Sequence, residues 1–329
     1  MAEILRVEDL RVRYRTRQGD IRAVNGVNFS LQESSIMCLV GESGSGKSTI
    51  ALAMMGLLPD NGEVMDGKVL FEDNDLLRIS FGRLRRIRGK DITMVFQEPQ
   101  SALNPIQSIG DQLVEAIRTH TGSRKEEATR MAEDSLREMG LPDPRQIMGR
   151  YPFQVSGGQA QRIMLAMALM LRPKVLVADE PTSSIDVTLQ AEILARLKSY
   201  VQDWGCSILL ITHDMGVVAH MADEVAVMYG GSIVEHADVR ELFQRPYHPY
   251  TWGIFQALPR MDEADRMLQP LQGNPPTLLN LPDQCPFVPR CPKAVSRCRD
   301  EAMPSLHMVV AGHNVACYNM VDHAAGDAG

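Results

Sequence analysis

Ile4 to Tyr14 alternates apolar with polar or charged residues, and Ala23 to Leu31 does so more loosely. Period-two alternation predicts half-buried strands. Ile36-Met37-Cys38-Leu39-Val40 is instead a short continuous apolar run that stops at Gly41. Such a run fits a strand buried on both faces. A helix is expected from Ser48 onward, and strands over Gly67 to Asp73 and Asp91 to Gln97. From about Pro99 to Arg172 the period changes. Ile109 to Thr119 and Arg124 to Met139 carry helical spacing and good helix formers, closed by Gly140 and Pro142. Alternation then resumes with strands at Val175 to Ala178, Ser207 to Thr212, Glu224 to Tyr229 and Ser232 to His236, and helices at Val187 to Asp203 and Asp214 to Met221. Buried strands alternating with helices predict an α/β core carrying a helical insert. Beyond about Arg245 the periodicity fades, and an irregular region is expected.

The chemistry sits at the ends of these apolar runs. Gly41-Glu42-Ser43-Gly44-Ser45-Gly46-Lys47-Ser48 fits G-x-x-x-x-G-K-[ST] in full, between an apolar strand and a helix. Glycines let backbone N–H groups wrap a phosphate chain, and the helix N-terminus adds partial positive charge. Lys47 suits the β- and γ-phosphates, and the Ser48 hydroxyl suits Mg²⁺. Val175 to Ala178 runs into Asp179 and Glu180. Acids at the end of a buried strand are costly unless a cation compensates them, so Asp179 suits Mg²⁺ and Glu180 a general base toward water. Ser156-Gly157-Gly158-Gln159 precedes an apolar helix and offers a second anion-binding start, although Ser156 also suits a plain N-cap. One nucleotide does not need two phosphate loops from one chain, so a dimer is expected in which this loop caps the partner's nucleotide. Gln97 and His213 each end an apolar strand. Gln97 suits Mg²⁺ or the attacking water, and His213 a γ-phosphate. Tyr14 suits stacking on adenine, and Asp186 lies in a loop suited to signalling across a dimer.

Composition narrows the picture. The chain has 329 residues, of which 44% are hydrophobic and 23% charged, and a net charge of -7. These values exclude a disordered chain, and the acidic balance argues against a protein that coats nucleic acid. The basic stretch Arg83 to Lys90 lacks interleaved aromatics and reads as a solvated face. The longest clean apolar run, Ile163 to Leu171, is nine residues, against roughly 20 for a membrane span. Met1 to Arg6 shows no signal-peptide pattern. Eleven of the 19 prolines lie from Pro246 onward, and four of the six cysteines lie at Cys285, Cys291, Cys298 and Cys317.

In their order, Tyr14, the phosphate loop Gly41 to Thr49, Gln97, Ser156 to Gln159, Val175 to Glu180, Ser184 to Asp186 and His213 resemble the motifs of the ATP-binding subunits of ABC transporters. Val155 and Ile185 stand where leucine is usual, and Ser184 where alanine is usual. The resemblance implies a P-loop ABC ATPase cassette over residues 1–245: a RecA-like core, an antiparallel β subdomain and a helical subdomain at about 99–172. ATP-binding residues would be Tyr14, Gly41, Ser43, Gly44, Ser45, Gly46, Lys47, Ser48 and Thr49. Glu180, His213, Gln97 and Lys47 would be catalytic, and Ser48, Gln97 and Asp179 would serve Mg²⁺. Gln97 to Pro105, Arg245 to Thr251 and Cys285 to Pro292 further resemble the dipeptide, oligopeptide and nickel importers, the D-type ATPase more than the F-type. That implies two permeases, an F-type ATPase partner and an extracytoplasmic substrate-binding protein. It also implies a peripheral position at the cytoplasmic face of the cell membrane and no nucleic acid. Peptides are the default cargo, with nickel complexes or glutathione as alternatives. A soluble ABC ATPase acting on DNA or ribosomes and a P-loop kinase fit the motif set less well.

Residues 246–329 read as an irregular Cys/Pro-rich extension with the spacing C-x5-C-x6-C-x18-C. Four thiols without a secretory signal suggest a metal site more than disulfides. Zinc fits four thiolates but usually shows short C-x2-4-C knuckles, and none is present; an iron–sulfur cluster tolerates the wider spacing, plain buried thiols stay open, and His307 and His313 are alternative ligands that otherwise read as surface histidines. The importer resemblance implies a [4Fe–4S] cluster on Cys285, Cys291, Cys298 and Cys317. Cys38 and Cys206 read as core residues.

Overall fold

A computed structural model describes residues 2–183, 185–258 and 271–323. Its strands are β1 (Glu3–Thr16), β2 (Gly19–Gln32), β3 (Ile36–Val40), β4 (Gly62–Phe71), β5 (Asn74–Asp75), β6 (Ile92–Val95), β7 (Val175–Asp179), β8 (Ser207–Thr212), β9 (Glu224–Tyr229), β10 (Ser232–Asp238), β11 (His307–Val310) and β12 (His313–Val315). The chain forms two compact units. One comprises Met1–Ile4, Leu31–Ile36 and Asn74–Ile211; the other comprises Leu5–Ser30, Met37–Asp73 and Thr212–Gly329.

In the first unit β6, β7 and β8 run parallel, with Ile92 opposite Val175 and Val175 opposite Ser207. Every residue of β7 and β8 is buried, which explains why these segments read as unbroken apolar runs. The helical insert holds Ile109–Thr121, Lys125–Glu138 and Gly157–Leu169. Lys125–Glu138 buries Ala128, Ala132 and Leu136, spaced four apart on one face. Burying a leucine such as Leu136 contributes roughly 1.5–3 kcal/mol. The Ser135 hydroxyl, itself buried, donates to Ala166 O at 2.9 Å and locks the third of these helices against the second.

In the second unit β1 pairs antiparallel with β4, from Leu5 opposite Phe71 to Tyr14 opposite Gly62. β3 pairs parallel with β9, and β9 turns back antiparallel into β10. All five residues of β3 are buried. Cys38 is 0% exposed and Cys206, in the other unit, is 2% exposed, so both behave as core residues. Burial pushes both thiols up, Cys206 to about 12.

The C-terminal region is more regular than its composition suggests. Pro249–Gln256 is a helix capped by the His248 side chain, which accepts from Tyr250 N. β12 pairs with β10, Glu235 opposite Val315, and β11 pairs with β12. Prolines concentrate between these elements, and strands of three or four residues are too short to show a period. His313 is also not a surface histidine. It is 0% exposed, and its Nε2 lies 2.7 Å from Glu235 Oε1. Burial is possible because a carboxylate meets the ring. His307 is exposed, as expected. The basic stretch lies on and after the helix Phe81–Ile87, with Leu84 buried and Arg83, Arg85 and Arg86 exposed.

Candidate functional site

The loop after β3 is shaped by close approach. A Cβ on Gly41 would sit 2.2 Å from Met228 O, and one on Gly46 would sit 2.2 Å from Ala23 O. Both have positive φ, 152° and 104°. Only glycine satisfies the contact and the conformation together. Lys47 opens the helix Lys47–Met54 and is 7% exposed. Its Nζ donates to Gly41 O at 2.7 Å, Glu42 O at 2.9 Å and Ser45 Oγ at 3.2 Å. The ammonium is thus held inside its own loop, among neutral oxygens that a phosphate can replace. The Tyr14 hydroxyl lies 3.1 Å from Thr49 Oγ1. The predicted aromatic residue and the loop therefore meet within one unit. His213, directly after the end of β8, belongs to this unit and is exposed, and Asp214 caps the helix Met215–Met221 behind it.

The other unit carries the acids. Asp179 closes β7 and is 4% exposed. Glu180 has a left-handed backbone, φ 51°, and its N–H donates to Ile211 O at 2.9 Å. A non-glycine residue held there stores about 1–3 kcal/mol of strain. Ser183 donates its hydroxyl to Glu180 O at 3.1 Å and closes the turn. Gln97 follows β6 and is exposed.

Ser156 accepts from Gln159 N at 3.3 Å, and Gln159 Oε1 accepts from Ser156 N at 3.1 Å. This capping box opens the helix Gly157–Leu169, so the N-cap reading of Ser156 holds in this chain. A Cβ on Gly157 would meet nothing within 4 Å, and Ser156 is exposed, so this helix start is open to an anion. Asp186 caps Val187–Trp204 by accepting from Leu189 N at 3.0 Å. Ser184 lies outside the described residues.

Two family profiles match the chain. ABC transporter covers residues 24–183, and oligopeptide/dipeptide transporter, C-terminal region, covers residues 234–298. The oligopeptide transport ATP-binding protein OppD of Haemophilus influenzae is 44% identical over 299 residues, 91% of this chain and 92% of that protein. The dipeptide transport ATP-binding protein DppD of Bacillus subtilis is 43% identical over 334 aligned residues, 100% of this chain and 99% of that protein. The chain belongs to the ABC transporter ATP-binding family. A solved dimeric ATP-binding cassette, in a post-hydrolysis state bound to ADP and Pi, is similar to this ABC ATPase with a TM-score of 0.66. That match is 25% identical and covers 72% of this chain and 99% of that one.

Two further features of this ABC ATPase lie in its C-terminal region. Cys285, Cys291, Cys298 and Cys317 all line one small cavity with about 10 Å³ of free volume, the space of one water. None is in a disulfide. Burial pushes the thiols of Cys285 and Cys317 up to about 11 and about 12, and raises Cys291 as well. Among the described residues no group of three or more His, Cys, Asp or Glu side chains stands in an arrangement that holds a metal ion. His248 also lines the cavity, and burial lowers it to about 4, leaving Nδ1 as the neutral acceptor for Tyr250 N.

The second feature is an ion pair that the motif reading missed. Arg290 donates from Nη1 to Glu42 Oε2 at 2.8 Å and from Nη2 to Glu42 Oε1 at 3.0 Å. One signal was available in the sequence. A lone arginine stands in Cys285-Pro-Phe-Val-Pro-Arg-Cys291, a segment otherwise without charge. Such an arginine needs an acid partner, but nothing in the sequence says which acid.

Proposed function

We propose that this ABC ATPase powers import of di- or oligopeptides through a membrane transporter. The single observation that carries the reading is the shared design with peptide-transport ATP-binding proteins over nearly the whole chain, including the C-terminal region. In this reading the backbone N–H groups of Gly41 to Ser48 and the Lys47 ammonium hold the phosphates of ATP. Tyr14 stacks on the base, Glu180 orients water as general base, and Gln97 and His213 contact the water and the γ-phosphate. Ser48, Gln97 and Asp179 present hard oxygen donors, which suit Mg²⁺; when bound, that ion neutralises developing phosphate charge. Ser156 to Gln159 serve the nucleotide of a second ATPase, an F-type chain in a heterodimer. Asp186 signals between the two. The partners are two permeases and, through them, an extracytoplasmic binding protein. Among the described residues no helix is long and apolar enough to cross a membrane. The likeness to peptide-transport ATP-binding proteins supports a peripheral place at the cytoplasmic face of the cell membrane.

The test is reconstitution with the permease pair, the partner ATPase and the binding protein in vesicles. Peptide-loaded binding protein is expected to raise ATP hydrolysis severalfold over the empty protein. Stimulation by nickel complexes or glutathione alone would reassign the cargo.

The C-terminal thiols are read as ligands of a [4Fe–4S] cluster. The donor set fits: four soft thiols, none paired, converge on one cavity. Zinc takes the same four thiolates at about 2.3 Å each, so metal analysis of the purified protein separates the two. Binding must displace the thiol protons that burial stabilises, and the tight cavity must open outward to admit the cluster. Anaerobically purified protein is expected to be brown, with about four irons per chain. Iron at background with four titratable thiols would exclude the cluster.

A further inference from the structure

The phosphate loop is gripped from outside by the C-terminal region, and every contact lies within one compact unit. The Arg290 side chain is 6% exposed and the Glu42 side chain 28%. Besides its two bonds to Glu42, the guanidinium donates to Tyr229 Oη at 3.1 Å and to Gln272 O at 2.9 Å. Its Cζ lies 5.7 Å from the centre of the Tyr229 ring. Glu42 is fixed at its main chain as well. Its N–H donates to Tyr250 Oη at 3.0 Å, and its C=O accepts from Lys47 Nζ at 2.9 Å. Tyr229, Tyr250 and Phe287 pack as a triad with ring centres 4.5–5.4 Å apart. Pro275, Pro276 and Leu278 line one small pocket together with Glu42 to Ser45. The segment is anchored in turn, since Arg22 N donates to Leu278 O at 3.1 Å.

We propose that Arg290 is a positioning residue for ATP binding: it holds Glu42, and with it the phosphate loop, in the shape that receives the triphosphate. Two physical effects act together. Glu42 is the one acid within a loop that must accept a polyanion. A bidentate guanidinium neutralises that carboxylate and fixes its direction. The grip also keeps ordered a backbone that would otherwise lose entropy on binding, so affinity gains by preorganisation. Because Arg290 stands between Phe287 and Cys291, the cysteine-bearing segment becomes part of the nucleotide site's support.

The inference rests on Gly41 to Thr49 being the ATP loop, which Lys47→Ala tests separately. That variant should lose binding of the fluorescent nucleotide mant-ATP with Mg²⁺, and binding at the wild-type level would remove the site reading itself. With the loop so established, Arg290→Ala in the full-length chain should raise the mant-ATP Kd about tenfold. In the assembled transporter it should raise KM with kcat nearly kept, the mark of lost uniform binding. In a Glu42→Gln background the same change should have little effect, because the pair acts as a unit. Asp283→Ala cuts the contact of the same region to Arg22, 2.8 Å in length, away from the loop, and should leave Kd unchanged. Should Arg290→Ala fail to fold, Arg290→Lys keeps charge and packing but cannot grip both oxygens, and should still weaken binding. A wild-type Kd for the Arg290 variants, an undiminished effect in the Glu42→Gln background, or an equal loss in Asp283→Ala each overturns the proposal.

Discussion

Replacing Glu180 with glutamine is expected to lower ATP turnover in the assembled transporter by about 10²–10⁴-fold while mant-ATP binding survives. Glutamine matches glutamate in size but cannot accept a proton from water. The expectation depends on the carboxylate being aimed, and the backbone supplies the aim. Glu180 directly follows buried Asp179 at φ 51°, its N–H is bonded to Ile211 O, and its C=O accepts from the Ser183 hydroxyl. Relaxing this turn is expected to free strain and to change the direction of the side chain. Turnover at the wild-type rate from this chain's own site would sink the assignment of Glu180 as general base.

The largest expected effect on stability comes from Glu235→Leu, about 3–5 kcal/mol, read as a lowered urea midpoint together with faster proteolysis of the C-terminal region. Glu235 is 0% exposed and lies in β10. Its carboxylate accepts from Tyr247 N at 2.6 Å and His248 N at 3.0 Å and meets His313 Nε2 at 2.7 Å. Leucine fills a similar volume but leaves a buried N–H, a half-buried N–H and a buried imidazole without that partner. Each such loss costs about 1–3 kcal/mol. A midpoint unchanged from wild type would mean that the carboxylate does not clasp the β12 strand to β10.

These two residues show how differently parts of the molecule can be read. The role proposed for Glu180 rests on local signals: an apolar strand, two acids, and a phosphate loop upstream. The strands β3, β7 and β8 were legible for the same reason, since burial on both faces leaves an unbroken apolar run. Glu235 gave no signal. In sequence it is one acid in an amphipathic strand, and its partners sit 12, 13 and 78 positions away. Ser156 was read in two ways, and the structure shows the capping box.

By itself the sequence determined the ATP motifs, their order and the family, because each motif is a short contiguous piece whose chemistry depends on neighbouring residues. It also marked the cysteines and prolines of the C-terminal region as unusual. Only the tertiary structure decided what that region does to the rest of the molecule. The four thiols line one cavity, β12 extends the sheet at β10, and Arg290 reaches Glu42 across 248 positions. Such contacts follow from the path of the chain through space, and no periodicity or spacing along the sequence encodes which acid a distant arginine will meet.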